Sequence, residues 1–264
     1  MIAQNPKLNG LPLAVFAALC SPVFAQTTEL PSVQVNASAD ASADGLAPEY
    51  AGGQVATGAR VGLLGTQSTM DTPFNLTSYT SKLIQDQQAA SVGDVLLNDP
   101  AVRVARGFGN FQQVYLVRGL PIFSDDMSYN GLYGLLPRQY LAAELVERVE
   151  VLRGANAFLN GAAPGGSGLG GAINVVPKRA PNYDINQATV GVQDGGETYL
   201  AGDFARRFNE GSTGLRATFA RRDGDTNVDG ESRELTLFAV GADFRSDKLR
   251  VSADVGYQEH KLQA

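Results

Sequence analysis

Cysteine and histidine are almost missing from this chain, with one of each in 264 residues. Thiolate, imidazole or zinc catalysis is excluded on that count, because each needs several soft or titratable ligands in one place. Tryptophan is absent and charged residues make up only 18%. Lys and Arg number 21 against 27 Asp and Glu, a net charge of -6. Such a balance lacks the basic face that replaces counterions around phosphates, so a nucleic-acid partner is not expected. No apolar run reaches about 18 residues, which excludes a helical membrane span. A membrane β-barrel stays open, since its strands are apolar on one side only. Glycine is what the chain has in excess, at 30 residues.

The first residues read as an export signal. Lys7 precedes an apolar run from Leu11 to Leu19, and Val23-Phe24-Ala25 offers small residues at the positions a signal peptidase requires. Residues 1–25 are therefore expected to be removed after Ala25, and Cys20 goes with them. A buried N-terminal helix is the alternative, but Pro6, Gly10, Pro12 and Pro22 interrupt it.

Residues 26–70 are rich in Ala, Ser, Gly, Thr and Asp and read as a flexible linker, with too little apolar surface to offset ordering entropy. One island alternates: Leu30, Pro31, Ser32, Val33, Gln34, Val35, Asn36 and Ala37. Such a peptide suits addition to the open edge of a partner's sheet, although eight linker residues also alternate by chance.

Residues 71–181 form a small mixed α/β unit. Ser91 and Asp94 cap a short helix through Val92, Val95 and Leu96 that Asn98-Asp99-Pro100 ends. Strands are expected at Val102 to Val104, Gln113 to Arg118, Glu147 to Leu152 and Ala172 to Val176, with a helical stretch from about Arg138 to Leu145. Two loops collect Arg106, Phe108, Phe111, Phe123, Asp125, Asp126, Tyr129 and Tyr133. Aromatic faces with an arginine suit a large, partly apolar, often anionic ligand, and ordinary exposed loops share that composition. The run Asn160 to Gly171 matches G-x-G-x-x-G at Gly166, Gly168 and Gly171. A dinucleotide loop opens a helix, whereas Ala172 to Val176 is strand-like and ends at Pro177, so tight backbone packing is the better reading.

Beyond residue 186 the pattern changes to period two. Leu249, Val251, Ala253, Val255 and Tyr257 alternate with Arg250, Ser252, Asp254 and Gln258. Shorter alternations run through Ala188 to Val192 and Leu215 to Phe219, and weaker ones through Thr198 to Phe208 and Glu234 to Phe244. Turn clusters separate about five strands with one apolar and one polar face. By itself this suits a soluble sandwich as well as a membrane barrel.

The blocks "SVGDVLLNDPAVRVARG", "VYLVRGL" and "ERVEVLRGANAFLNGAAPGGSGLGGAINVVPKRAP", in that order, resemble the plug domain of TonB-dependent outer-membrane receptors, and particularly the ferric-siderophore branch. Ala155 departs from the pattern, which commonly has proline after the "RG" turn. The resemblance implies a mixed α/β plug domain followed by antiparallel β-strands of an incomplete transmembrane β-barrel. Residues 186–264 would supply its first strands, where enclosing a folded plug takes about 22. It implies that Leu30 to Ala37 is the TonB box and that Gln26 to Met70 is too short for an added signalling domain. Glu147, Arg148, Glu150 and Arg153, with Lys178 and Arg179, would meet the barrel wall. Arg106, Phe108, Phe111, Phe123, Tyr129 and Tyr133 would face the ligand.

Function follows as an expectation from the same resemblance. The receptor takes up ferric siderophores across a Gram-negative outer membrane and is not an enzyme. It has no cofactor of its own, since iron arrives chelated. Energy comes from TonB and its inner-membrane complex through strand pairing with the TonB box, and outer-membrane lipid surrounds the barrel. Cobalamin, haem or an oligosaccharide as cargo, and a soluble exported ligand-binding α/β protein, stay as alternatives.

Overall fold

In a computed structural model, residues 45–106 and 109–263 are described, and they lie within one unit, Val35–Ala264. The signal-peptide reading, Leu30 to Ala37 and Phe108 lie outside the described residues. The first layer is a five-stranded sheet ordered β1-β4-β9-β10-β8. Its members are β1 (Val55–Ala56), β4 (Asn75–Thr80), β8 (Ser128–Tyr129), β9 (Val146–Arg153) and β10 (Gly171–Pro177). Pairing is antiparallel except for β10 with β8. Beside it lie a hairpin of β2 (Gly58–Arg60) and β3 (Thr66–Ser68), and a three-stranded sheet of β5 (Val102–Arg106), β6 (Val114–Val117) and β7 (Leu120–Phe123).

Helices α1 (Ser81–Asp86) and α2 (Val92–Leu96) cover the sheet, and a single turn, α3 (Ala157–Asn160), follows β9. At α2 the Ser91 hydroxyl accepts from Asp94 N at 3.2 Å and the Asp94 carboxylate accepts from Ser91 N at 2.9 Å, the reciprocal cap expected from sequence. Val92, Val95 and Leu96 then pack against Tyr115, Ile122, Val149, Val151, Ile173 and Val175 in one core.

Two local expectations need correcting. Residues from Gly45 onward are ordered against this unit before position 71: β1 pairs with β4, and Arg148 donates to Ala47 O at 2.6 Å. Small residues there are used for close approach, since a Cβ at Gly58 would stand 2.3 Å from Gln67 O. The expected helix over Arg138 to Leu145 is one 3-10 turn, Ala143–Leu145, preceded by extended chain that bridges Ser91 through Ala142. Leu141 and Ala143 enter the core just described, whereas Tyr140 and Ala142 enter a second cluster with Ala201, Ala220, Leu235 and Leu237. A segment buried on both faces shows unbroken apolarity, which periodicity cannot distinguish from a short helix.

The second layer is an antiparallel meander, β11 (Ile185–Val192), β12 (Thr198–Phe208), β13 (Thr213–Asp225), β14 (Ser232–Arg245) and β15 (Arg250–Gln263). Its burial is inverted relative to a soluble sheet. Along β13 the buried positions are Gly214, Arg216, Thr218, Ala220 and Arg222, and Leu215 is exposed between them. The outward face of the meander presents Val190, Leu200, Phe204, Phe238 and Val255, the last 72% exposed, whereas inward Arg222 is 1% exposed. Register stacks Phe219, Phe238 and Tyr257 across β13, β14 and β15 on the bare face. On β12, Gly202 leaves the room that the Phe219 ring fills, since a Cβ there would lie 2.2 Å from that ring.

Candidate functional site

The polar inner face of the meander meets the mixed unit through charge. Arg216 donates to Asp203 at 2.7 Å and to Glu147 at 2.8 Å, and Lys178 reaches Asp203 at 2.8 Å. Three inward positions further along β13, Arg222 pairs with Glu144 at 2.7 Å, with its guanidinium 4.0 Å from the centre of the Tyr199 ring. Nearer the turn between β12 and β13, Arg207 bonds Asp243 at 2.7 Å and Ala180 O at 2.7 Å. Arg179 pairs with Asp254 on β15, and Gln258 is bonded to both Tyr140 O and Ala142 N. All of these groups leave water together, so each retained charge needs its partner.

Of the six side chains expected at the wall, Glu147, Lys178 and Arg179 are there. Arg148, Glu150 and Arg153 instead satisfy the mixed unit itself. Arg148 holds Ala47 O and stands 3.9 Å from Glu49; Glu150 accepts from Arg60 N at 3.2 Å and from Asn174 at 2.8 Å. Arg153 grips Asp99, with further bonds to Asn75 and Thr77. Plain alternation would give Glu147 the same face as Arg153; the division arises because Glu147 sits where the pairing with β10 shifts register and beyond the last pair with β4, whereas Arg148, Glu150 and Arg153 lie between β4 and β10. Arg216, Asp203, Arg222 and Glu144 were missed as contacts; the sequence shows the first three only as the polar half of an alternation, and Glu144 lies in a 3-10 turn with no pattern of its own.

The expected ligand-facing residues divide similarly. Register places Arg106, Val114 and Phe123 side by side at one end of the three-stranded sheet, and Arg106 is exposed there. Phe111 is 71% exposed, with the Arg138 guanidinium 5.7 Å from its ring centre. Arg138 donates to Asp125 at 2.7 Å, and Gln112 donates to the same carboxylate. Partial burial raises the Asp125 carboxyl, but bonds from Arg138 and Gln112 outweigh it and hold the group below its ordinary range. The Arg138 carbonyl also accepts from Gln113 N at 3.2 Å and from the Ser124 hydroxyl. Arg138 therefore ties three loops together, a role no sequence motif signals.

Tyr129 belongs elsewhere. Its hydroxyl is hydrogen-bonded with Asp254 on β15, and burial followed by that carboxylate pushes the phenol up. Tyr133 is half-buried, and burial, then the nearby Asp126 carboxylate, raises its phenol. Asp126 itself clamps the glycine run, accepting from Gly165 N at 2.6 Å and Ser167 N at 3.1 Å. A Cβ at Gly170 would stand 2.1 Å from Val117 O, so these glycines serve backbone packing. Beneath the Leu135-Leu136-Pro137 loop a cleft of about 450 Å³ opens against Thr218, Ala239 and Gly256 of the wall.

A folded mixed unit is held by ion pairs to the polar inner face of a sheet whose apolar outer face is left bare, the arrangement of a plug seated against a barrel wall. The family model of the TonB-dependent receptor plug domain matches residues 68–167. Over 223 residues the chain is 44% identical to the ferrichrome receptor FcuA of Yersinia enterocolitica, covering 84% of this chain and 29% of that protein. The crystal structure of BauA, the ferric preacinetobactin receptor of Acinetobacter baumannii, superposes with a TM-score of 0.78 at 38% identity, covering 81% of this chain and 32% of BauA. Pyoverdine-bound FpvA of Pseudomonas aeruginosa shares the fold, with a TM-score of 0.70 at 20% identity over 80% of this chain and 31% of FpvA. The chain belongs to the TonB-dependent receptors, and it spans about a third of the length of these relatives.

Proposed function

We propose that this chain is the plug and first wall strands of a Gram-negative outer-membrane importer of ferric siderophores. The observation that carries the reading is the inverted meander. Buried arginines face the plug while Val190, Phe238 and Val255 face outward, an arrangement that suits lipid on one side and a filled lumen on the other. Similarity to receptors named for ferrichrome and preacinetobactin favours an iron chelate as cargo. Iron keeps the hard oxygen ligands of its chelator, and the receptor recognises the outer shape and charge of the complex through Arg106, Phe111 and neighbouring loops.

Energy must come from a partner, because the outer membrane has no nucleotide supply. In this reading Leu30 to Ala37 adds as a strand to TonB, whose pull is powered through the inner membrane. The export signal at residues 1–25 delivers the chain. Deleting Leu30 to Ala37 in the receptor expressed from its own gene is expected to abolish uptake of radiolabelled iron as its chelate, with chelate binding to whole cells retained. Loss of binding together with uptake removes the coupling role. Recovery of the receptor in the soluble periplasmic fraction overturns the reading altogether.

A further inference from the structure

Residues 138–147 touch the exposed loops of the plug at one end and the wall at the other. Arg138 holds the loops: its carbonyl accepts from Gln113 N and the Ser124 hydroxyl, and its guanidinium pairs with Asp125 beside the Phe111 ring. Glu144 and Glu147 meet Arg222 and Arg216 on β13. Between these ends the chain is paired on both edges. On one edge Leu141 O accepts from Val92 N at 3.1 Å, and Ala143 N donates to Ala90 O at 3.2 Å. On the other, the Gln258 side chain of β15 donates to Tyr140 O at 2.9 Å and accepts from Ala142 N at 3.0 Å. A carbonyl and the amide two residues on are the groups that a neighbouring parallel strand bonds, so one side-chain amide stands in for a strand. The His260 ring, also on β15, stacks on Tyr140 with centres 4.4 Å apart.

We infer that Gln258 is a positioning residue for the exposed plug loops, acting through the strap of residues 138–147. Tyr140 and Ala142 are 4% and 0% exposed. Without Gln258 the Tyr140 carbonyl and the Ala142 amide lose these bonds, and buried backbone groups do not stay unpaired at low cost. The strap then shifts to find other partners. Arg138 is two residues from Tyr140, so the shift reaches Gln113, Ser124 and Asp125 through the bonds that Arg138 makes. A wall strand 118 residues further along the chain thus sets the frame on which cargo is met. That these loops receive cargo rests on the import reading above, whereas the hold of Gln258 on them is read without any chelate.

The test places a nitroxide spin label at Asn110→Cys, on the exposed loop beside Phe111, in the full receptor inserted in outer membranes. A second label at Leu63→Cys, on the exposed turn between β2 and β3, serves as the control. Gln258→Leu is expected to shift the spectrum at position 110 toward its mobile component and to leave the spectrum at position 63 unchanged. Arg138→Gln should mobilise position 110 in the same way. Adding Gln258→Leu to it should bring no further shift, because both act through one tie, whereas a general loosening of the fold would add. Gln258→Glu keeps the acceptor for Ala142 N and loses the donor to Tyr140 O, so its spectrum should fall between those of the parent and Gln258→Leu. It is also the variant read if Gln258→Leu does not insert. A spectrum at position 110 equal to the parent's in either Gln258 variant overturns the inference. Equal mobilisation at both labels, or a double variant looser than Arg138→Gln alone, overturns it too. None of these outcomes touches import, which is read separately by uptake of labelled iron in the parent.

Discussion

Asp99 has no exposure, and Arg153 reaches it from the far end of β9. Tyr79 donates to the same carboxylate at 3.4 Å. Burial, then repulsion by Asp99, pushes the Tyr79 phenol up to about 12. A folded-state value above the unfolded one means stability is complete below about pH 10 and is lost as pH rises toward about 12. The denaturation midpoint of the membrane-inserted receptor should therefore fall across that window, and Tyr79→Phe should flatten the fall. An equally steep fall in the variant would remove Tyr79 as the cause. Legibility at this scale was uneven. Arg106 and Phe111 stand out in sequence because exposed loops concentrate them, whereas Arg153 and Glu147 look alike until strand register sends one into the plug and the other to Arg216. Arg138 gives no warning at all, since its value lies in three loops that are distant in sequence.

Short elements with their own local code were readable. Ser91, Asp94 and the Asn98-Asp99-Pro100 stop define α2 without tertiary information, because capping satisfies the first free amides within four residues. Ser91→Ala should destabilise the plug by about 1 kcal/mol, read as a lower urea midpoint. No change would mean that Asp94 alone caps the helix. Elements defined by distant neighbours were harder. The chain at Tyr140 to Ala143 reads as helix because both of its faces are buried, and β2 and β3 read as linker because they are three residues each, with small or polar side chains, and pair closely only through Gly58 against Gln67 O. Strand β4 carries no pattern of its own: Ser78 and Thr80 are as buried as Tyr79, so alternation is erased. The glycine run was legible by elimination. Its strand-like sequel argues against a nucleotide loop, and the Asp126 clamp and the contact at Gly170 supply the packing reason.

For the whole molecule, the five alternating segments were legible as strands, yet their alternation did not say which face was the interior. The structure answers through burial: arginine inside, phenylalanine outside. Placing a charge on the bare face should therefore be costly. Phe238→Arg near the middle of the belt is expected to lower stability by about 2–4 kcal/mol and reduce the folded fraction in outer membranes, read by heat-dependent mobility on gels. Unaltered insertion would mean that the face does not meet lipid.

The joint between plug and wall is stitched with charge where an ordinary domain would use grease. Arg216, Arg222, Asp203 and Glu144 surrender their hydration only while the two surfaces are closed. If a tug parts them, water floods in and rehydrates each ion, repaying much of the lost attraction. An oily joint would gain nothing from the flood and would resist it. Arg216 has Glu147 and Arg222 has Glu144 to return to across the joint, so the stopper can reseat in its original alignment once the tug ends.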